Sequence, residues 1–242
     1  MDVLILGGGY GTRLFGHYNR ETYHPKGLIK IREKLCIEHI LDVFSNNLID
    51  EIILETNNEG KPFYKNWLNE SRFKDRTEIF VEPISTPDNC MGVLKTIEIV
   101  SNFYRFQKPI LILSPDNVFT ETQDELIINY ISGVRIATYE LDSLNNAKKY
   151  GVVVLDADSI INWIEKPSDP KSRIIRTSCE IWDTDTFALI QEWNTKFDSN
   201  KVGDFIGYLI NMGIKVESYK IKGEWIDIGN KEDLSRSRKM LK

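Results

Sequence analysis

Glycine fills four of the five positions from 7 to 11 in Leu6-Gly7-Gly8-Gly9-Tyr10-Gly11-Thr12-Arg13-Leu14, directly after the apolar run Val3-Leu4-Ile5-Leu6. Without β-carbons a backbone can approach a ligand closely, and several of these residues can take positive φ at no steric cost. Such a turn can aim successive amide N–H groups into one concavity, which binds anions. Thr12 adds a hydroxyl, and Arg13 adds a permanent positive charge whose planar fork suits phosphate oxygens. Lys26, in Tyr23-His24-Pro25-Lys26-Gly27-Leu28-Ile29, brings a second cation to the border of the same loop. A plain strand-to-helix turn would also use glycine; the two cations favour a phosphate cradle. The dinucleotide fingerprint G-x-G-x-x-G fits Gly7 and Gly9 but meets Thr12 at its third glycine, and the Gly-Lys-Ser/Thr of a P-loop is absent.

Asp116 could complement these cations, and Asp227 is a second carboxylate further on. Asp116 follows the apolar run Ile110-Leu111-Ile112-Leu113 through Ser114-Pro115. A carboxylate at the end of a buried parallel strand can hold a divalent cation against a triphosphate, because Mg²⁺ takes one or two carboxylates plus phosphate oxygens. A turn or helix-capping role is the alternative. Asp227 lies in Glu224-Trp225-Ile226-Asp227-Ile228-Gly229-Asn230, where a solvated loop with Asn230 capping the next helix is the alternative.

Leu6 to Leu14, with Pro25-Lys26 behind it, resembles the opening signature Leu-Ala-Gly-Gly-x-Gly-Thr-Arg-Leu of the sugar-1-phosphate nucleotidyltransferases, or NDP-sugar pyrophosphorylases, with Gly7 in the alanine place. The short thymidylyl-, uridylyl- and guanylyltransferases are the members it is similar to. The resemblance implies a Rossmann-like nucleotide-diphospho-sugar transferase fold that moves a nucleotidyl group from a nucleoside triphosphate to a sugar 1-phosphate with Mg²⁺. It places Leu6, Gly8, Gly9, Gly11, Thr12 and Arg13 on the nucleotide, with Arg13 at the β- and γ-phosphates and Lys26 at the α-phosphate. Arg13, Lys26 and Asp116 would be the catalytic set. Asp116 matches the family's aspartate after this strand, and Asp227 matches its Trp-x-Asp-x-Gly motif, so both would ligate the metal.

Tyr150-Gly151-Val152 and Glu165-Lys166-Pro167 are similar to the family's sugar-contacting segments. There Gly151 would let the ring lie against backbone, Glu165 would accept from sugar hydroxyls and Lys166 would pair with the sugar phosphate. An exposed hairpin with solvated charges is the alternative. Two places depart from the pattern. Glu82 stands where a base-reading glutamine is usual, and an ionised carboxylate accepts but cannot donate; Gly92 still matches the glycine opening the following helix. Thr177, a further sugar contact, lies in Arg176-Thr177-Ser178-Cys179-Glu180, which replaces the usual Thr-Gly-x-Tyr strand.

Three other functions compete with this one. A transferase acting on phosphocholine would want an aromatic cage. A non-catalytic nucleotide-sugar sensor would not need Arg13, Lys26, Asp116 and Asp227 together. An NAD-linked dehydrogenase is disfavoured by Thr12 and Arg13.

The elements that must position these residues follow from periodicity. Apolar runs at 52–54, 78–81 and 110–113 read as strands, and amphipathic stretches at 36–44, 63–68, 91–100 and 124–131 as helices. Leu28 to Ile31 reads as another strand. This alternation implies an α/β fold with a mostly parallel, doubly wound sheet, whose ligands sit beyond the carboxyl ends of its strands. From Val134 the strands 134–138, 152–155 and 160–164 are short and divided by turn residues, so the second half should be more antiparallel. Helices are expected at 187–193, 205–212 and 231–241, with an extended segment at 214–221. The whole reads as one domain, 1–242, with a nucleotide half to about 132 and a sugar half from about 133. No β-helix follows the last motif, so regulation through such a domain is not expected.

With 242 residues, 41% hydrophobic and 28% charged, the chain is long enough to bury a substantial core. A net charge of −5 gives no general attraction to nucleic acid or to an anionic membrane. Cys36, Cys90 and Cys179 lack C-x-x-C spacing, which argues against a disulfide framework or zinc site. No stretch approaches 18 apolar residues, so a cytoplasmic protein is expected. A homo-oligomer is compatible with the sequence.

Overall fold

The computed structural model describes residues 1–16, 19, 23–83, 86, 91–197 and 199–241, and for Arg13 the backbone only. In chain order the first elements are β1 (Asp2–Leu6), α1 (Thr12–Phe15), β2 (Lys30–Ile31), β3 (Lys34–Leu35), α2 (Cys36–Asp42), β4 (Ile52–Thr56), α3 (Lys61–Glu70) and β5 (Thr77–Val81). Next come α4 (Val93–Tyr104), β6 (Ile110–Leu113), β7 (Asn117–Phe119), α5 (Asp124–Ile128), β8 (Val134–Glu140), α6 (Leu144–Ala147), β9 (Gly151–Asp156) and β10 (Ser159–Glu165). The last are β11 (Ile174–Trp182), α7 (Thr184–Lys196), α8 (Val202–Asn211), β12 (Val216–Lys220), β13 (Trp225–Asp227) and α9 (Lys231–Met240). They form two compact units: Met1–Met91 with Ile112–Asp124 and Lys222–Lys242, and Gly92–Leu111 with Glu125–Ile221. The units therefore interleave along the chain, and the segment from Lys222 joins the first rather than following the division near 132.

In the first unit β4 is flanked by β1 and β5, both parallel to it, with Leu4 opposite Ile53 and Leu54 opposite Ile79. Every residue of β4 is buried, as its unbroken apolar start requires of a central parallel strand. Pro62 sits in the first turn of α3, where its missing N–H would have had no helical partner. The strand expected over 28–31 is shorter: Lys26–Leu28 forms a 3₁₀ turn after Pro25, and only Lys30–Ile31 pairs, with Lys34–Leu35.

A satellite core gathers Leu14, Ile29, Ile31, Cys36, Val118, Ile226 and Ile228, with Leu234, Met240 and Leu241 against it. It packs α1, β2, α2, β7, β13 and α9 into one body. Each fully buried isoleucine in it contributes about 1.5–3 kcal/mol relative to an exposed one. Asn230 caps α9 by accepting from the amides of Glu232 and Asp233, at 2.8 and 3.0 Å.

The second unit is largely antiparallel, in the strand order β11-β8-β12-β10-β9, with β8 and β12 parallel. An added pairing of Ile175 in β11 with Val152 in β9 makes the strand order close on itself. Ala157, at φ 49°, turns the β9–β10 hairpin. The nine-residue β11 carries a register shift between Arg176 and Glu180. An aromatic group of Trp182, Trp193, Phe205 and Tyr208 packs α7 and α8 onto it. Among the described residues no helix is long and apolar enough to cross a membrane.

Candidate active site

Beyond Leu6, the end of β1, the glycine loop is fixed by the end of β4. The amide of Gly7 donates to the Glu55 carbonyl at 2.9 Å, and that of Gly8 donates to Glu55 Oε2 at 3.3 Å. Asn57 Nδ2 donates to the Gly8 carbonyl at 2.6 Å, while Asn57 Oδ1 accepts from the Gly60 amide at 2.7 Å. The first two amides of the expected cradle are thus directed to Glu55 and not to an anion. Glycine is required here by closeness: a Cβ on Gly7 would stand 2.8 Å from the Glu55 carbonyl, and one on Gly8 would collide with Glu55 Oε1. Gly9 has open space on that side. Gly11, at φ 65°, caps α1, which begins at Thr12. The Arg13 side chain lies outside the described residues.

Lys26 is presented at the start of the 3₁₀ turn, and its Cγ lies 3.3 Å from where a Gly11 Cβ would be. Its Nζ donates to Asp116 Oδ2 at 2.6 Å. Ser114 Oγ and Asn117 Nδ2 donate to the other carboxylate oxygen, at 2.7 and 3.2 Å. Burial alone would raise the Asp116 carboxyl, but the Lys26 ammonium and hydrogen bonds from Lys26 and Ser114 outweigh it and hold it below the usual carboxylate range. Cys36 lies close enough to feel both charges; burial and Asp116 push its thiol up, so it stays protonated. Tyr64 is fully buried, and its hydroxyl lies 3.0 Å from a Gly7 Cβ position and 2.8 Å from a Gly27 one. It is a spacer between the glycine loop and the turn carrying Lys26.

Asp227 reaches this neighbourhood through β13, which pairs antiparallel with β7 and sets Asp227 opposite Asn117. The Ile228 amide donates to the Asp116 carbonyl at 3.0 Å, and Trp225 Nε1 donates to Asn117 Oδ1 at 2.7 Å. Two hard carboxylates, one in the turn before β7 and one at the end of β13, with Lys26 beside the first, suit Mg²⁺ that completes its shell with phosphate and water. Among the described residues no group of three or more His, Cys, Asp and Glu could hold a metal alone.

Glu82 follows β5, with its amide donating to the Thr56 carbonyl at 2.9 Å, and its side chain is buried beside Glu55. Burial first, then the charge of Glu82 and a hydrogen bond to it, hold the Glu55 carboxyl well above its usual range against the pull of the Gly8 and Gly7 amides. Residues 84, 85 and 87–90 lie outside the described residues.

The other expected contacts belong to the second unit. Gly92, at φ 81°, caps α4 against Asn200. Gly151 lies opposite Glu165 on the β9–β10 ladder, and a Cβ there would stand 2.7 Å from the Trp163 ring and 3.0 Å from Glu165 Oε2. Lys166, at φ 45°, donates its amide to the Tyr150 carbonyl at 3.0 Å and is exposed, with Nζ 3.8 Å from Glu165 Oε1. Thr177 is fully buried and its hydroxyl donates to the Ala137 carbonyl at 2.8 Å. Its neighbours carry more accessible chemistry: Arg176 pairs with the buried Glu180 and lies 5.7 Å from the Trp163 ring centroid.

The first unit thus holds Leu6, Gly8, Gly9, Gly11, Thr12, Lys26, Glu82, Asp116 and Asp227, and the second holds Gly92, Gly151, Glu165, Lys166 and Thr177. Sequence reasoning missed Glu55, Asn57 and Tyr64. The signal for the first two was the polar triplet Glu55-Thr56-Asn57 at the carboxyl end of an apolar strand.

A family model described as nucleotidyl transferase matches residues 2–242. The bifunctional protein GlmU of Methanocaldococcus jannaschii is 27% identical over 243 residues, covering 100% of this chain and 54% of the relative. The low-salt glycan biosynthesis nucleotidyltransferase Agl11 of Haloferax volcanii is 23% identical, covering 100% of this chain and 66% of the relative. The chain thus spans about half to two thirds of the length of these relatives. In fold it is similar to a UDP-glucose pyrophosphorylase solved with UDP-glucose, at a TM-score of 0.80 and 16% identity, covering 98% of this chain and 97% of that one.

Proposed function

Because the chain belongs to the nucleotidyl transferase family, we propose that it transfers a nucleotidyl group from a nucleoside triphosphate to a sugar 1-phosphate, giving an NDP-sugar and pyrophosphate. An oxygen of the sugar phosphate bonds to the α-phosphorus while the bond from that phosphorus to the bridging oxygen breaks. The electron pair leaves with pyrophosphate. The attacking oxygen is already an anion, so the site needs no general base; it must hold two polyanions in line and offset their charge.

The observation that carries this reading is the Lys26–Asp116 pair, bordered by the glycine loop and joined to Asp227 through β7 and β13. Lys26 meets the α-phosphate, leaving Asp116 for a cation. Asp116 and Asp227 would hold Mg²⁺, which when bound offsets charge on both phosphates. Arg13, Thr12 and the amides from Gly9 onward take the β- and γ-phosphates. In the second unit Gly151 would let the sugar ring lie against backbone, Glu165 would accept from its hydroxyls and Lys166 would pair with its phosphate.

Pyrophosphate release with Mg²⁺, measured across the common nucleoside triphosphates against a panel of sugar 1-phosphates and phosphocholine, tests the reading. Turnover with at least one sugar 1-phosphate is expected. Release only with phosphocholine, or triphosphate binding without release for any pair, would overturn it.

A further inference from the structure

Three segments of the first unit that carry chemistry meet at the hydroxyl of Tyr64. Gly7 opens the glycine loop, Gly27 follows Lys26, and Pro115 precedes Asp116. The Tyr64 oxygen lies 3.0 and 2.8 Å from where β-carbons on Gly7 and Gly27 would stand, and Pro115 Cβ lies 2.9 Å from the same Gly27 position. Tyr64 is fully buried, and its hydroxyl has no hydrogen-bond partner among the described residues. A buried hydroxyl without a partner lowers stability, and phenylalanine would bury the same ring without that penalty. What the oxygen supplies here is volume. The support behind it is firm: the Tyr64 amide donates to the Gly60 carbonyl at 3.0 Å, and Asn57 links the Gly60 amide to the Gly8 carbonyl at 2.7 and 2.6 Å. The start of α3 is thereby tied to the glycine loop, and its tyrosine bears on the turn that presents Lys26.

We propose that Tyr64 is a positioning residue whose hydroxyl sets the separation between the glycine loop and Lys26, and with it the length of phosphate chain that both can grip; this rests on the nucleotidyl-transfer reading. A triphosphate is held at two places, by the loop and by Lys26, so its affinity depends on their spacing. A single phosphate is held at one of them and does not sense it. In the reaction the same spacing brings the α-phosphorus into line with its leaving group, where a misplacement of about 1 Å can cost on the order of 10²-fold in rate. Without the hydroxyl oxygen the Lys26 turn settles toward Gly7, and the two grips fall out of register.

Calorimetric titration of wild type and Tyr64→Phe with inorganic triphosphate and with inorganic phosphate, beside a thermal melt of each, tests this without any turnover. Tyr64→Phe should melt at or above the wild-type temperature, because it removes an unpartnered buried hydroxyl. It should bind triphosphate roughly tenfold more weakly, the effect of one charge-assisted hydrogen bond lost from register, and bind inorganic phosphate as wild type does. Tyr64→4-aminophenylalanine, which restores an atom at the para position, should recover the triphosphate affinity. A merely structural role would lower the melting temperature and weaken both anions together. That pattern, or triphosphate affinity unchanged in Tyr64→Phe, would overturn the proposal. A selective loss of triphosphate affinity, in a chain whose wild type releases no pyrophosphate with any sugar phosphate, would overturn the transferase reading and leave this one standing.

Discussion

Lys26 Nζ lies 2.6 Å from Asp116 Oδ2 although the two residues are 90 apart in the chain, and both side chains are about 85% buried (14% and 15% exposed). Two mostly desolvated charges at this distance stand or fall together. Removing one leaves the other buried and unpaired, which costs about 3–5 kcal/mol in comparable pairs. Lys26→Ala should therefore lower the unfolding free energy by an amount in that range, read from urea unfolding. It should also reduce kcat by on the order of 10²–10³, as does loss of one preorganised electrostatic donor. The unfolding transition sets a temperature below which the two effects can be measured apart. Wild-type turnover in folded Lys26→Ala would remove Lys26 from the catalytic set.

The backbone of Asp227 is held in the ladder that sets it opposite Asn117. Asp227→Asn should leave that ladder intact and shift the melting temperature little, while raising the Mg²⁺ concentration for half-maximal pyrophosphate release by at least roughly tenfold. Chelation of divalent ions should abolish release, and added Mg²⁺ should restore it. An unchanged Mg²⁺ requirement in the variant would mean that Asp227 is not a ligand.

Glu55 makes stability fall with rising pH. Its folded pKa is raised by burial and by Glu82, so above the unfolded carboxylate pKa the unfolded chain binds fewer protons than the folded one. Stability from this group is complete below the unfolded value and is lost as pH climbs toward the folded one. Glu55→Gln carries no such proton, so its melting temperature relative to wild type should rise between pH 4 and pH 8. A pH-independent difference would show that Glu55 ionises normally.

Gly7 and Gly8 are both crowded, but against different neighbours. A Cβ on Gly7 meets the backbone carbonyl of Glu55 at 2.8 Å, which cannot swing away, whereas one on Gly8 meets the end of the Glu55 side chain. Gly7→Ala should destabilise by about 1–3 kcal/mol, as overpacking does. Gly8→Ala should destabilise less, because the Glu55 side chain can turn away. Urea unfolding of the two variants ranks them directly.

Much of this was legible in the sequence because it is local. The runs at 52–54 and 110–113 are too apolar to lie anywhere but in a buried strand, and Asn230 announced the cap of α9. β13 was not legible: Trp225–Asp227 is three residues long and is a strand only because β7 pairs with it and Asn117 receives the Trp225 indole. β11 was obscured by Arg176 and Glu180, which satisfy each other inside the strand and interrupt its register. At the site, Asp116 was found by asking what ends an apolar strand. The same question put to β4 would have found Glu55 and Asn57, whose roles depend on a loop folding back over them.

The β7–β13 ladder also has a consequence for biosynthesis. Trp225 follows Asn117 by 108 residues, and at ribosomal rates of roughly 5–20 residues per second β7 waits on the order of 5–20 s for its partner. During that interval Lys26 and Asp116 have already emerged, while β7 presents an open edge and the second carboxylate does not yet exist. The nascent first unit is then inert and open to strand-edge association, and it matures only after all of the other unit has been translated.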